Sequence, residues 1–238
     1  MNQNVFITGT GNDNSLGRNF VRRYLEDGDT VIATLRRPSE TLNQLKAQYP
    51  DTLHIVLMDI GSTESVQAAA AEAAKLVPCI DILINSAVTT SPDCGKEFMD
   101  ANLDYIAKAM DVAAVGPLRV IKALMPLLEK SEKVAFIANI SSEAGSIGKC
   151  YRTNMIDYAM SKCALNMATK TLHNAFKDND KINILCIHPG WMRTNDGNAK
   201  APFDPYDSAK MMKDLFEEKR ADKNCPIFLT FEGEEYPW

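Results

Sequence analysis

The sequence predicts an α/β protein: one domain on a doubly wound, seven-stranded parallel sheet with helices on both faces. Three observations predict it. Short apolar runs alternate with longer stretches of helical periodicity along the chain. A glycine-bearing turn, Thr8-Gly9-Thr10-Gly11, separates the first run from the first helical stretch. The 238 residues, 45% hydrophobic and 24% charged, contain no internal repeat, low-complexity linker or composition break to mark a second domain.

The elements follow in order. Val5-Phe6-Ile7 is a β-rich run that stops at Thr8-Gly9. From Leu16 to about Glu26 the pattern turns helical, with Phe20, Val21, Tyr24 and Leu25 on one face. Thr30 to Thr34 is a second strand, and a helix follows near residues 39–48. Leu53 to Met58 is a third strand ending at Asp59. The Ala-rich stretch from Thr63 to Leu76 is helical, with Ser62 or Thr63 as its cap. Ile80 to Ile84 is a fourth strand, and residues 88–97 form a polar loop. A long helical segment covers about 99–129, with a bend expected at Gly116-Pro117. Lys133 to Ile140 is a fifth strand, Ile156 to about Lys177 a helix, and Ile182 to Ile187 a sixth strand. A last helix spans about 206–220, and Ile227 to Phe231 closes the sheet.

Bulk properties narrow the function classes. A net charge of −5 gives no reason to expect nucleic acid or an anionic membrane as partner. No stretch approaches 18 uninterrupted apolar residues, and the first residues lack a basic region followed by an apolar one. A cytoplasmic location is expected. The six cysteines are scattered without a C-x-x-C, so free thiols are expected, and no metal site.

The glycine turn carries the first functional signal. Gly9, Gly11, Asn14, Ser15, Leu16 and Gly17 lie between the first strand and first helix. Small residues there let backbone approach a pyrophosphate, and the helix start offers free N–H groups at the positive end of its dipole. The second strand indicates which dinucleotide. Sites that prefer NAD usually end this strand in Asp or Glu, to hold the ribose 2′-hydroxyl. Here it runs into Arg36 and Arg37, which match a 2′-phosphate. The expected cofactor is NADP(H).

The second signal is Tyr158-x-x-x-Lys162, preceded by Ser142. Tyr158 and Lys162 are four apart on a predicted helix and so share a face. A free tyrosine has a pKa of about 10. A nearby ammonium, with the cationic ring of an oxidised nicotinamide, would favour tyrosinate. Bringing it to neutrality takes roughly 4 kcal/mol of differential stabilisation. Tyr158 would then donate a proton to a carbonyl oxygen as hydride arrives, or remove one in reverse. Tyr151 is a decoy, because the residue four further on is Met155.

Taken together, the chain resembles the short-chain dehydrogenase/reductase family along nearly its whole length. The matching pieces, in family order, are the Thr8-Gly9 loop, Asp59, Asn85-Ser86-Ala87, Asn139-Ile140-Ser141-Ser142, Tyr158-x-x-x-Lys162 and Pro189-Gly190-Trp191-Met192-Arg193-Thr194. The tail from Phe231 to Trp238 is similar to that of the C-factor-like and sniffer-like carbonyl reductase branch. The resemblance implies a Rossmann fold and a small-molecule carbonyl or alcohol substrate. It implies a homodimer or homotetramer formed through the two long helices. It implies Ser142, the second Ser of Ser-Ser-x-x-Gly, as the group that polarises the substrate carbonyl, and Lys162 as holding the nicotinamide ribose. Asp59 and Ile60 would contact adenine, Asn85, Ser86 and Ala87 would border the adenosine ribose, Pro189, Gly190 and Met192 would shape the nicotinamide pocket, and Thr194 would reach the carboxamide or a phosphate. His188 is read as structural.

Two departures stand out. The glycine loop, Gly9-x5-Ser15-x-Gly17, resembles that of enoyl-acyl carrier protein reductases. Those enzymes use Y-x6-K, however, and the residue seven before Lys162 is Met155. The family's usual Asn of the long helix, which is thought to anchor a proton-relay water, falls at Ala113. With the C-factor likeness, these leave a non-catalytic nucleotide-binding regulatory or signalling protein as the alternative to a carbonyl reductase, and an enoyl reductase behind it. Residues 88–98, 144–155 and 191–205 are the expected pocket walls, and Tyr151, Met155, Trp191, Met192 and Phe203 suggest an apolar lining. Ser142 and Tyr158 are sixteen apart, which leaves a long loop between them.

Overall fold

The computed structural model describes residues 2–194 and 198–238. Seven strands, β1 (Asn4–Thr8), β2 (Thr30–Leu35), β3 (Leu53–Leu57), β4 (Ile82–Asn85), β5 (Ala135–Ile140), β6 (Ile182–His188) and β7 (Phe228–Thr230), form one sheet. Every pairing is parallel, and the order is β3-β2-β1-β4-β5-β6-β7. The chain starts in the middle and winds outward in both directions, as the alternating pattern predicts.

The strands are apolar on both sides because helices cover both faces. In β1, Val5 and Ile7 join one core while Phe6 enters the other. The first core packs α1 (Leu16–Glu26), α2 (Glu40–Gln48) and α7 (Pro205–Lys219) on the sheet through Phe20, Leu42 and Phe216. Phe216 lies 5.8 Å from Phe20 and 5.2 Å from Phe136, ring centre to ring centre. The second core holds α3 (Thr63–Leu76) and α5 (Gly116–Leu128) through Val66, Val120 and Leu124, with Leu172 of α6 (Ile156–Ala175) against it. Serines start three helices: Ser15, Ser39 and Ser62 each accept a hydrogen bond from the backbone N–H three residues on.

The long helical segment differs from expectation. It begins as two 3₁₀ turns at Phe98–Asp100 and Leu103–Tyr105. It continues through α4 (Ile106–Met110) and a π-helical turn at Asp111–Val115 into α5. Pro117 explains the π turn. It has no N–H to give to the carbonyl of residue 113, and the preceding Gly116 N–H bonds five residues back to Asp111 instead. Ala113 is buried in that turn, which packs on α6. Strand bounds also tighten: β4 starts at Ile82 rather than Ile80, and β5 at Ala135 rather than Lys133.

Among the described residues no helix is long and apolar enough to cross a membrane. None of their His, Cys, Asp and Glu side chains group to hold a metal ion. All six cysteines are free.

Candidate active site

The predicted site residues gather at the carboxyl ends of the strands, around the crevice where the chain reverses direction between β1 and β4. Thr8 closes that crevice. Its Oγ1 accepts the N–H groups of Ser86 and Ala87, both at 3.0 Å. Gly9 has φ +78°, and a Cβ there would sit 2.6 Å from the Ala87 Cα. A Cβ on Gly17 would sit 2.6 Å from the Gly9 carbonyl oxygen. These glycines are therefore fixed by contact within the protein. Gly11 is exposed and has nothing closer than the Leu35 Cβ, 3.7 Å from where its own Cβ would lie.

Ser15 caps α1 and donates its hydroxyl to the Asn12 carbonyl at 2.9 Å. Leu16 is buried. Asn14 reaches across to the Arg193 carbonyl (2.6 Å), tying the glycine loop to the Pro189–Thr194 segment. The first turn of α1 has no acidic residue. Arg36 and Arg37 follow β2 and are exposed.

Arg18 carries no predicted role, yet it organises this region. It is 1% exposed and donates to the Thr10 carbonyl (2.9 Å), the Thr41 hydroxyl (3.0 Å) and the Ser39 hydroxyl (3.1 Å), with Asp13 at 3.3 Å. Only tertiary contacts reveal it; in the sequence it is one basic residue of an amphipathic helix.

Asp59 anchors a tight turn, its Oδ1 accepting the Gly61 N–H at 2.9 Å. The Ile60 side chain is buried against Gly116 at the start of α5, and its carbonyl accepts from Arg119 at 3.3 Å. Asn85 donates to the Asn139 Oδ1 at 2.9 Å, and Asn139 donates on to Thr169. The Asn85 Oδ1 is buried with no hydrogen-bond partner among the described residues. Gly190 has φ +80° and packs under the Phe203–Phe231 edge-to-face pair. Met192 is buried and bridges to Phe203, and Thr194 bonds back to the Met192 carbonyl. Residues 195–197, within the expected 191–205 wall, lie outside the described residues.

The catalytic candidates meet at the ends of β5 and α6. Ser142 follows β5. Gly145, in the same Ser-Ser-x-x-Gly run, has no room for a Cβ, which would lie 2.7 Å from the Asn166 amide nitrogen. Lys162 is buried and donates to the Ile140 carbonyl at 2.7 Å. Its Nζ lies 5.7 Å from the centre of the Tyr158 ring. Burial lowers its pKa to about 8. Without the oxidised cofactor that the expected tyrosinate invokes, Tyr158 is shifted the other way. Burial first, and then the Glu143 charge, push its pKa up, against the pull of the Ser142 hydroxyl and Arg152. The lysine does not offset that desolvation, because its own charged form is weakened by the same burial and its Nζ is turned to a backbone carbonyl. Without cofactor, Tyr158 is a neutral phenol.

The loop before α6 brings two further charged groups to this point. Ser142 donates its hydroxyl to the Glu143 Oε2 at 2.5 Å, and Arg152 binds the Glu143 Oε1. The Glu143 N–H donates to the His188 Nδ1 (3.2 Å), and the His188 ring packs on Tyr236. The position of Glu143 next to Ser142 was the only signal available in the sequence. Met155, just before α6, holds a left-handed φ of 59°. Tyr151 and Trp191 are exposed, and Phe203 packs edge-to-face on Phe231.

A model of the short chain dehydrogenase family matches residues 3–203. The chain belongs to that family. An uncharacterised oxidoreductase of Schizosaccharomyces pombe is 29% identical over 249 residues, covering 96% of each chain. C-signal of Myxococcus xanthus is 29% identical, over 67% of this chain and 93% of its own. Among solved structures, a short-chain dehydrogenase/reductase from Burkholderia multivorans with bound NADP superposes with a TM-score of 0.88 at 27% identity, covering all of both chains. An NADPH-bound carbonyl reductase from chicken fatty liver gives 0.87 at 26%, over 100% of this chain and 94% of that one. The Sniffer carbonyl reductase of D. melanogaster shares the fold at 0.87 and 24%, over both full chains. C-signal is thus among the similar proteins, and the likeness to Sniffer is one of fold.

Proposed function

We propose that this short chain dehydrogenase is an NADP(H)-dependent oxidoreductase that interconverts a small carbonyl compound and its alcohol. The observation that carries the reading is the meeting of Ser142, Tyr158 and Lys162 beside the β1–β4 crevice. The NADP and NADPH bound to the two similar structures support the choice of cofactor.

The residues present suit a dinucleotide. The open backbone at Gly11 and the acid-free start of α1 suit the pyrophosphate. Exposed Arg36 and Arg37 suit a 2′-phosphate. The unpartnered Asn85 Oδ1 is an acceptor waiting for a donor. Gly9, Ser15, Leu16, Gly17, Asp59, Ile60, Ser86 and Ala87 complete the adenosine side, and Pro189, Gly190, Met192 and Thr194 the nicotinamide side. When bound, the cofactor supplies or accepts the hydride.

The chain's own residues handle the proton. Tyr158, a neutral phenol, gives its proton to the substrate oxygen in reduction and takes it back in oxidation. Lys162 sits on the same helix face, ready to hold ribose and to favour the phenolate once the proton has left. Exposed Tyr151, Trp191 and Phe203 suit an apolar substrate. The apolar face made by Leu118, Ala164, Met167 and Leu172 on α5 and α6 suits a second copy of the chain, and a cytoplasmic location fits the free thiols. Light scattering checks the oligomer.

The test is NADPH oxidation against a panel of aldehydes and ketones. Tyr158→Phe should lower kcat by about 10²- to 10⁴-fold with cofactor binding retained. Unchanged turnover in that variant would overturn the reading. The likeness to C-signal favours a second one, nucleotide binding without turnover. Tight NADPH binding with no oxidation on any substrate would establish it.

A further inference from the structure

Two loops that leave the sheet three strands apart meet across the crevice. The glycine loop follows β1 and the Pro189–Thr194 segment follows β6, with β4 and β5 between them in the sheet. At about 4.8 Å per strand, their starting points are about 14 Å apart. The Asn14 amide nonetheless donates to the Arg193 carbonyl at 2.6 Å. The five residues between Gly9 and Ser15 give Asn14 that reach. Among the described residues this is the one hydrogen bond that joins residues 9–17 to residues 189–194.

Each lip is braced on its own side. In the glycine loop the Ser15 N–H and hydroxyl both donate to the Asn12 carbonyl, at 3.2 and 2.9 Å. Buried Arg18 donates to the Thr10 carbonyl and pairs with Asp13, and Thr41 of α2 holds Asp13 from the far side. In the opposite lip the Arg193 guanidinium donates to the Ala201 and Pro202 carbonyls at 2.9 and 2.7 Å. The Arg193 N–H donates to the Phe203 carbonyl at 2.9 Å. Shifting either lip breaks several of these bonds. Parting the two at Asn14 breaks one.

We propose that the Asn14–Arg193 bridge is a clasp over the cofactor crevice, which opens to pass the dinucleotide and recloses over its pyrophosphate, so that Asn14 sets how fast the cofactor exchanges. This rests on the crevice holding a dinucleotide. The pyrophosphate is the part the bridge would cross, because a helix start after the first strand is where that group binds, and Asn14 stands just before α1.

Donor and acceptor both belong to the chain, so the bond forms whether the crevice is filled or not. The acceptor is backbone, so Asn14 is the half that substitution removes. The clasp then has a kinetic signature. It must break for entry as for exit, and its loss lowers both barriers alike. A direct contact between Asn14 and the cofactor would be lost from the bound state alone, leaving entry unchanged and weakening binding.

Stopped-flow mixing with NADPH, followed by nucleotide fluorescence, and displacement of bound NADPH read association and dissociation without turnover. In Asn14→Ala both rate constants should rise about two- to tenfold, the range that one neutral hydrogen bond spans, with Kd within about twofold of the native value. NADH should show the same factor, because Arg36 and Arg37 follow β2, on the other side of β1 from β6. Asn14→Leu, close to asparagine in shape, serves if the alanine variant melts early. Unchanged rates would overturn the proposal. Faster release with unchanged association and a raised Kd would also overturn it, and would make Asn14 a cofactor ligand. If the native protein takes up neither nucleotide, the cofactor reading falls and the clasp with it. If it binds NADPH and the variants exchange no faster, only the clasp falls.

Discussion

The two ends of the sheet treat buried charge in opposite ways. At the amino ends of the strands, Lys213 binds Asp27 and Asp29 at 2.6 and 2.9 Å. Asp29 also accepts the Gln3 N–H, and Asp81 takes the Ser131 hydroxyl and the Asn4 N–H. Arg220 ties Gln3, the Val134 carbonyl and the Asp81 carbonyl together. At the carboxyl ends, buried Lys162 has a single carbonyl, the Asn85 Oδ1 and Arg152 Nε have no partner among the described residues, and Tyr158 is held away from ionisation by burial. One end pairs its buried charges within the chain, although the Tyr24 hydroxyl beside Lys213 has no hydrogen-bond partner among the described residues. The other leaves them short, as a site does when a ligand is to complete it.

Exchanging a lysine at each end would test that contrast most sharply. Lys162→Met should remove activity by about 10²-fold or more. It should also make the protein more stable at neutral pH, because burying the ammonium disfavours the charged form by roughly 3 kcal/mol. Lys213→Met should do the reverse. It strands buried Asp29 beside exposed Asp27, which costs about 3 kcal/mol, with kcat unchanged. Thermal melts and steady-state kinetics on both variants check this; a destabilised Lys162→Met would break the comparison.

The pH dependence follows with a definite sign. The folded pKa of Lys162 lies near 8, below its ordinary value, so between the two the unfolded chain binds more protons. Stability attributable to this group should rise with pH from about 8 toward 10.5, and the advantage of Lys162→Met should shrink over the same window. Denaturant midpoints measured across that range decide it. A smaller effect lies at the edge of the crevice. Arg36→Asp should raise KM for NADPH by about tenfold and narrow the preference over NADH, since it replaces an exposed cation by a repelling acid. An equal NADPH preference in the variant would move the 2′-phosphate away from Arg36.

Much of the fold was legible because its signals are local. The serine caps, the face of α1 and the parallel alternation all depend on residues within a few positions of one another, and outside the 98–115 segment the structure differs mainly by two residues at the starts of β4 and β5. The ordering of Tyr158, Lys162 and Ser142 was legible for the same reason. The rest depends on residues far apart in sequence. Arg18 is one basic residue of α1 until Ser39 and Thr41 close on it. Pro117 announces a break, but that the helix absorbs it as a π turn lying against α6, rather than as a bend, is visible only in the structure. In the cofactor-free chain the Tyr158 pKa is pushed up rather than down, because spacing places an ammonium on the same face without saying how deeply both groups are buried. Glu143 sits beside Ser142 in the sequence, yet only Arg152, nine residues on, fixes which way its carboxylate turns.

The last residues of the chain have a practical bearing on any such experiment. The Gly148 N–H, in the loop between Ser142 and Tyr158, donates to the Trp238 carbonyl at 2.7 Å, while the Tyr236 N–H donates to the Phe228 carbonyl and its ring packs at a tilt on His188. A purification tag or fluorescent label fused after Trp238 would pull on the loop that carries Arg152. Kinetic constants from such fusions would then describe the handle as much as the enzyme, and a cleavable tag is the sounder design.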